Sequence, residues 1–376
     1  MVDYLDRFVL GQARAKRDIA VAVYNHYLSQ AYREVEGRDL GRHHILLIGP
    51  TGVGKTYLVQ RLAEFLHVPV GFTSAAGLVE AGYVGNSVES VVAAVVERAD
   101  GDAQRAEKGI VFIDEIDKIR RAPGIRDVSG EGVQNGLLTL LDGRISKGTQ
   151  GQPHAAVDTS RLLFICTGAF VGLDDIVQRR QNHSSIGFAA RSHTPVGVAG
   201  RHSRDALLHE VQPADLIEFG FIPEFVGRFA SISILHELSS DDLAEIAAGY
   251  VQHSPLAIQR ELAAIHGIDL QIDDDVIAAI AEQAASLGTG ARGLHRLMVE
   301  AVRSVSGRWP ELAAQGVTQV VIDRSAVQQR RAPRMIRTRG KGRRLQRRDV
   351  ALRRHAMAGL EEPDGQLAAD ILADLF

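Results

Sequence analysis

GPTGVGKT, residues 49–56, decides the fold. It fits the pattern G-x-x-x-x-G-K-[ST], in which glycines let backbone N–H groups wrap a phosphate chain. The lysine then reaches the β- and γ-phosphates, and the hydroxyl residue turns toward Mg²⁺. The pattern carries weight only between a strand and a helix. HILLIG (44–49) supplies the continuous apolar run before it. YLVQRLAEFL supplies the helix after it, with Leu58, Val59, Leu62 and Leu66 on one face. The stretch therefore predicts an ATP site in which Pro50, Thr51, Gly52, Val53 and Gly54 wrap the phosphates. Lys55, Thr56 and Tyr57 follow at the start of the helix, with Thr56 on Mg²⁺.

Further apolar runs follow: VPVGF (68–72), GIVFID (109–114), RLLFICTG (161–168) and ASISIL (230–235). They are continuous rather than alternating, as strands covered on both faces of a parallel sheet are. Strands alternating with helical patterns give an α/β class. IVFIDEID (110–117) delivers Asp114 and Glu115 at the carboxyl end of a strand, the edge at which open α/β sheets bind ligands. Asp114 suits Mg²⁺, held directly or through water, and Glu115 suits a general base for an attacking water. Thr167 ends another strand; it either touches that water or the γ-phosphate, or is a plain strand-end threonine. Cys166 beside it reads as a core residue.

The chain has 376 residues, 45% hydrophobic and 24% charged, which predicts a globular protein of two or three domains. The single Cys166 excludes an internal disulfide and a Cys-rich zinc site. No apolar run approaches a membrane span, and MVDYLDRFVLGQ has no signal-peptide character, so a cytoplasmic location without membrane contact is expected. The net charge of −3 hides an asymmetry. Residues 330–354 hold twelve Lys or Arg against one acid, whereas 355–376 hold five acids and no Lys or Arg. Such a tail buries little surface and is expected to be disordered. After about residue 237 helical patterns dominate, near 240–251, 255–266, 275–287 and 291–308, with short strand candidates IDLQI and TQVVI. Residues 146–160 and 178–214 read as long loops. Within the second, HSSIGFAARSH (183–193) leaves Ile186 and Phe188 without an apolar stripe to join.

YLDRFVLGQARAKRDIAVAVYNHY (4–27), LLIGPTGVGKT, EAGYVGNSVES, GIVFIDEIDKI, RDVSGEGVQ, VDTSRLLFICTGAF, DLIEFGFIPEFVGRF and TGARGL occur in this order. In sequence and order they resemble the ClpX family of AAA+ unfoldases, over roughly residues 4–325. The resemblance implies an AAA+ P-loop NTPase large domain with a parallel sheet over 1–237. A smaller, mainly helical domain with short strands over 238–325 and a charged tail over 326–376 would follow. It implies a ring ATPase, usually a hexamer, that draws polypeptide through a central pore. Val9, Leu10 and Gln12 match the segment that closes over adenine. Arg228 matches the arginine finger, and Arg292 the second sensor. Tyr83 and Val84, in GYVG, match the first pore loop, and Val128 the second. Ile186, Gly187 and Phe188 match the tripeptide that docks on the peptidase ClpP.

The chain shows no persuasive protease constellation of its own, so degradation would need that partner. Three departures stand out. The family's N-terminal zinc-binding domain has no counterpart, so no zinc is expected. The pore-entrance stretch KGTQGQPHAAVDTS keeps only His154 of the family's Arg-Lys-His loop. The basic tail is foreign to the family. It leaves open a nucleic-acid contact, which would suit a nucleic-acid motor. The ending GQLAADILADLF could form a short helix and keeps open a remodelling ATPase that acts alone or in the manner of HslU.

Overall fold

The computed structural model describes residues 1–79, 86–121, 130–149, 152–184, 201–249, 254–328 and 331–337. The chain divides into two compact units, Met1–Glu237 and Leu238–Phe376. In the first unit, α1 (Val2–Asp6) and α2 (Ala13–Glu36) come first. β1 (His44–Ile48) leads into α3 (Lys55–Leu66), and β2 (Val70–Ser74) follows. The short pair β3 (Leu78–Val79) and β4 (Asn86–Ser87) precedes α4 (Ser90–Arg98) and α5 (Ala103–Ala106). β5 (Ile110–Asp114) is followed by α6 (Glu131–Leu141), the pair β6 (Ile145–Thr149) and β7 (Gln152–Asp158), and β8 (Leu163–Gly168). Then α7 (Leu173–Ser184), α8 (Arg201–His209), α9 (Pro213–Phe219) and α10 (Pro223–Val226) lead to β9 (Phe229–Ile234).

The central sheet has five strands in the order β2-β5-β8-β1-β9, all parallel. Every residue of β1 and β8 is buried, which explains their unbroken apolar runs. α3 covers the sheet with Leu58, Val59 and Leu62, as its spacing predicts. α4 and α6 pack their Val91, Val92, Val95, Leu137 and Leu140 into a core with Val111, Ile113 and Phe164. Because all strands run parallel, the carboxyl ends of β1, β5 and β8 share one edge. Pairings along that edge join Ser74 to Asp114, Ile113 to Cys166, and Leu47 to Thr167.

The structure departs from the sequence reading in three places of this unit. β2 lies two residues later than the run VPVGF, because Ile110 N bonds Pro69 O (2.9 Å) and regular pairing continues to the polar Ser74. Residues 146–160 are not one loop: β6 and β7 pair antiparallel there. Residues 178–214 are interrupted by helix. α7 runs to Ser184, and Arg180 on it donates to Asp215 at the start of α9 (Nε to Oδ1, 2.7 Å). Asp215 is 1% exposed, and this ion pair adds to the apolar packing of α7, whose Leu173, Ile176 and Val177 are buried.

The second unit contains α11 (Ser240–Ala248), α12 (Pro255–Ile265), β10 (Asp269–Ile272), α13 (Asp274–Ser286), α14 (Gly290–Ser306), α15 (Trp309–Ala314), β11 (Val317–Ile322), α16 (Arg324–Val327) and β12 (Arg334–Arg337). Ser254 caps α12 by accepting Ala257 N (3.1 Å), with Pro255 in the first turn. α14 buries Leu294, Met298, Val302 and Val305 along one stripe. β10, β11 and β12 form one sheet. β12 falls inside the segment expected to be a disordered tail from residue 326, and that expectation is corrected for 334–337. Arg-Met-Ile-Arg is placed by backbone pairing with β11, with Met335 opposite Val320, and hydropathy does not report such pairing. Among the described residues no helix is long and apolar enough to cross a membrane.

Candidate functional site

The loop between β1 and α3 is shaped by positive φ at Gly52 (83°) and Gly54 (94°), a conformation that L side chains rarely adopt. Successive N–H groups in such a turn form an anion-binding concavity at the N-terminus of α3. Gly49 has a different constraint: an added Cβ would lie 2.7 Å from Leu235 O. The carbonyl ends of β1, β8 and the chain after β9 close around it, through Gly49 N to Gly168 O (3.1 Å) and Leu235 N to Ile48 O (2.8 Å). Val53 is buried beneath the loop. Lys55 is 8% exposed, and its ammonium donates to Gly49 O (2.6 Å) and Pro50 O (2.8 Å). It stands at the inner wall of the concavity. Thr51 lies at the exposed turn, and Tyr57 on α3 stacks under the Arg61 guanidinium at 5.0 Å.

Asp114 gathers the polar groups of the strand edge. Thr167 Oγ1 donates to its Oδ1 (2.6 Å) and Thr56 Oγ1 to its Oδ2 (3.3 Å). The sequence residues expected to share Mg²⁺, Thr56 and Asp114, are therefore adjacent. Among the described residues no three His, Cys, Asp or Glu side chains converge as a metal cage. A hydroxyl and one carboxylate are the sparse set that Mg²⁺ uses when water and phosphate complete its shell. Both donor set and loop thus fit a Mg²⁺–nucleotide. Glu115 follows at φ 56°, a left-handed conformation costly for a residue with a side chain. Its Oε2 accepts from Ser74 Oγ (3.0 Å). Asp117, 6% exposed, reaches from the same strand end to Ala169 N (3.2 Å). An added Cβ on Gly168 would meet that carboxylate at 2.5 Å. Cys166 is fully buried, and burial raises its thiol pKa, which suits a core residue and not a nucleophile.

The segment before α2 is fastened from below. Lys16, 2% exposed, donates to Val9 O (2.6 Å) and Asp6 Oδ1 (2.5 Å). Arg61 lies between the Phe8 and Tyr57 rings, 5.3 and 5.0 Å from their centroids. Val9 is buried and Leu10 half-buried. Gln12, at φ 54°, uses both ends of its amide on His236: Nε2 donates to His236 O and Oε1 accepts His236 N, each at 2.9 Å. Its contact is therefore to the backbone after β9, which fixes the position of the Val9–Leu10 turn. Arg228, between α10 and β9, pairs with Asp142, whose carboxylate raises the guanidinium pKa. Arg292 is exposed in the first turn of α14, in the second unit. Tyr83, Val84, Val128, Ile186, Gly187 and Phe188 lie outside the described residues.

Sequence reading missed Ser74, Asp117, Gln134 and Asp142. Asp117 and Gln134 lie inside quoted motifs, but nothing in their spacing names their partners. Ser74 and Asp142 carry no motif signal at all.

The family model described as AAA domain (Cdc48 subfamily) matches residues 42–232. That of the C-terminal, D2-small domain of ClpB protein matches 238–305, and that of magnesium chelatase subunit ChlI matches 7–74. Similar curated proteins include the ATP-dependent Clp protease ATP-binding subunits ClpX of Borrelia duttonii (strain Ly) and Borrelia recurrentis (strain A1). Each is 38% identical over 337 residues, covering 86% of this chain and 76% of the relative. The ClpX subunit of Treponema denticola is 41% identical over 327 residues, covering 81% of this chain and 77% of the relative. With the phosphate loop, the strand-end carboxylates and the sheet order in place, these matches make the chain a member of the ClpX family of AAA+ ATPases, the Clp ATPase chaperones.

Proposed function

We propose that this ATPase is a ring-forming protein unfoldase that threads polypeptide through a central pore and delivers it to a ClpP-type peptidase. The observation that carries the reading is the gathering of Lys55, Thr56, Asp114, Glu115 and Thr167 at one sheet edge in a chain of the ClpX family. Lys55 would swing from the Gly49 and Pro50 carbonyls to the β- and γ-phosphates, which the loop from Pro50 to Gly54 cradles. Thr56 and Asp114 would hold Mg²⁺, which, when bound, neutralises phosphate charge. Glu115 would accept the proton of the attacking water, and Thr167 would fix Asp114 and the water beside it. Val9 and Leu10, positioned by Gln12, would cover the adenine, and Tyr57 would flank it. Arg228 would act on the nucleotide of the neighbouring subunit, and Arg292 would report nucleotide state to the second unit.

Oligomerisation is supported by an apolar stripe on α2. Val21, Tyr24, Leu28 and Val35 are 58%, 64%, 48% and 80% exposed at helical spacing, more than a lone subunit needs. Tyr83, Val84 and Val128 are proposed to grip the substrate, and Ile186, Gly187 and Phe188 to enter a peptidase pocket. The test of delivery is capture of a ClpP-type peptidase by the wild-type chain and by Phe188→Ala. Wild-type binding that Phe188→Ala abolishes is expected. No wild-type binding, or binding that Phe188→Ala leaves intact, rejects the docking role.

A further inference from the structure

Arg228 is not left to its own rotamers. Its Nε donates to Asp142 Oδ1, and its Nη2 donates to Asp142 Oδ2 at 3.1 Å. A two-point pair of this kind fixes the plane of the guanidinium as well as its location. Asp142 is the C-cap residue of α6, and its own backbone is held at both ends of the peptide. Its N–H donates to Leu138 O (2.9 Å), and its carbonyl accepts from Arg42 Nη2 (2.7 Å).

The other half of α6 grips the same stretch of chain. Gln134 is fully buried. Its Nε2 donates to Ile119 O (2.7 Å) and Gly220 O (3.2 Å), and its Oε1 accepts from Ile222 N (2.8 Å). α6 therefore holds residues 220–228 at two points, and Gln134 also ties them to the turn that follows Asp114 and Glu115. Both partners of the Arg228–Asp142 pair are partly exposed, 39% and 44%. Exposed pairs add little to stability, so the contribution of this one lies in orientation.

We propose that Asp142 is a positioning residue for Arg228, holding it through Nε and Nη2 so that the remaining Nη1 edge meets the phosphate of the adjoining subunit. The proposal rests on the reading of Arg228 as a finger that acts across the subunit interface. A guanidinium displaced by about 1 Å loses much of its effect on a transferring phosphoryl group, on the order of 10²-fold.

Steady-state ATPase of the assembled full chain tests this with Asp142→Asn, Asp142→Glu, Arg228→Ala and the double variant Asp142→Asn/Arg228→Ala. Asp142→Asn is expected to lower kcat by roughly tenfold to a hundredfold, with KM for ATP within about twofold. Asp142→Glu should restore most of the loss, because a carboxylate remains. In the Arg228→Ala background, Asp142→Asn should change kcat by less than about twofold, since there is nothing left to position. Unchanged or raised kcat in Asp142→Asn overturns the proposal, as does an equal loss in the two backgrounds. Where Asp142→Asn impairs ring assembly, seen by sedimentation, Asp142→Ser and Asp142→Ser/Arg228→Ala replace it, with the same loss expected only where Arg228 is present and an equal or absent loss in both backgrounds overturning the proposal. Retention of wild-type kcat by Arg228→Ala itself instead rejects the finger reading, and the proposal falls with it.

Discussion

Glu115 illustrates how a single residue can be placed for chemistry at a local cost. Its left-handed backbone turns it out of line with β5, and Ser74 holds its carboxylate at 3.0 Å. Glu115→Gln keeps the shape and one acceptor atom but removes the base. It should bind ATP with about wild-type affinity and lose turnover by a factor of about 10² or more; retained turnover would reject the assignment. Two histidines away from this site give a pH dependence. His26 and His44 are 5% and 1% exposed, and burial lowers their pKa values to about 4 and about 3. Both are neutral in the folded chain at neutral pH. His44 accepts from Phe164 N at Nδ1 (3.3 Å) and bonds Leu141 O through Nε2 (3.2 Å), which is the pattern of one neutral tautomer. The unfolded chain takes up these protons near pH 6.5. Stability from these groups is therefore full above about pH 6.5 and falls as pH drops toward the folded values. Urea midpoints should decline between about pH 7 and pH 5, and His26→Gln/His44→Gln should flatten that slope. An unchanged slope would assign the acid sensitivity elsewhere.

Lys55, Thr56, Asp114 and Glu115 were legible in the sequence because each sits in a short motif whose spacing encodes its geometry. Asp142 and Gln134 were not, because their partners lie 86 and 88 positions away. Only the folded sheet brings those stretches together, and no local pattern announces it.

At the scale of elements, an aromatic ladder supports the stretch that carries Arg228. Phe170 lies 5.7 Å from Phe221, Phe221 5.7 Å from Phe225, and Phe225 5.2 Å from Phe229. The ladder runs from the end of β8, just past Thr167, to the start of β9. Phe225→Ala leaves a cavity at a residue 1% exposed and should destabilise the first unit by about 3–5 kcal/mol in denaturant titrations. A cost below about 1 kcal/mol would mean that the ladder relaxes around the gap. The parallel strands were readable because burial on both faces writes a continuous apolar run. β6, β7 and β12 were not, because polar residues interrupt their few apolar ones, such as Val157 and Met335, and backbone pairing completes them. α7 was hidden because its buried apolar residues, Leu173, Ile176 and Val177, are confined to its start, and the rest, with Arg180 paired to Asp215, looks like surface charge in a sequence.

At the scale of the whole molecule, the proposed function assigns ATP hydrolysis and substrate grip to different residues. Tyr83→Ala should therefore leave ATP hydrolysis within about twofold of wild type and remove unfolding of a stable substrate. Unchanged unfolding would reject Tyr83 as the grip. The expectation of a ring comes only from the resemblance, since no spacing within one chain specifies how copies assemble. The central claim is tested most directly by measuring degradation of an unfolded model protein with a ClpP-type peptidase, with and without this chain and ATP. Degradation that requires the chain, the peptidase and hydrolysable ATP together is the predicted result. Degradation that is the same without the chain or without ATP would contradict it.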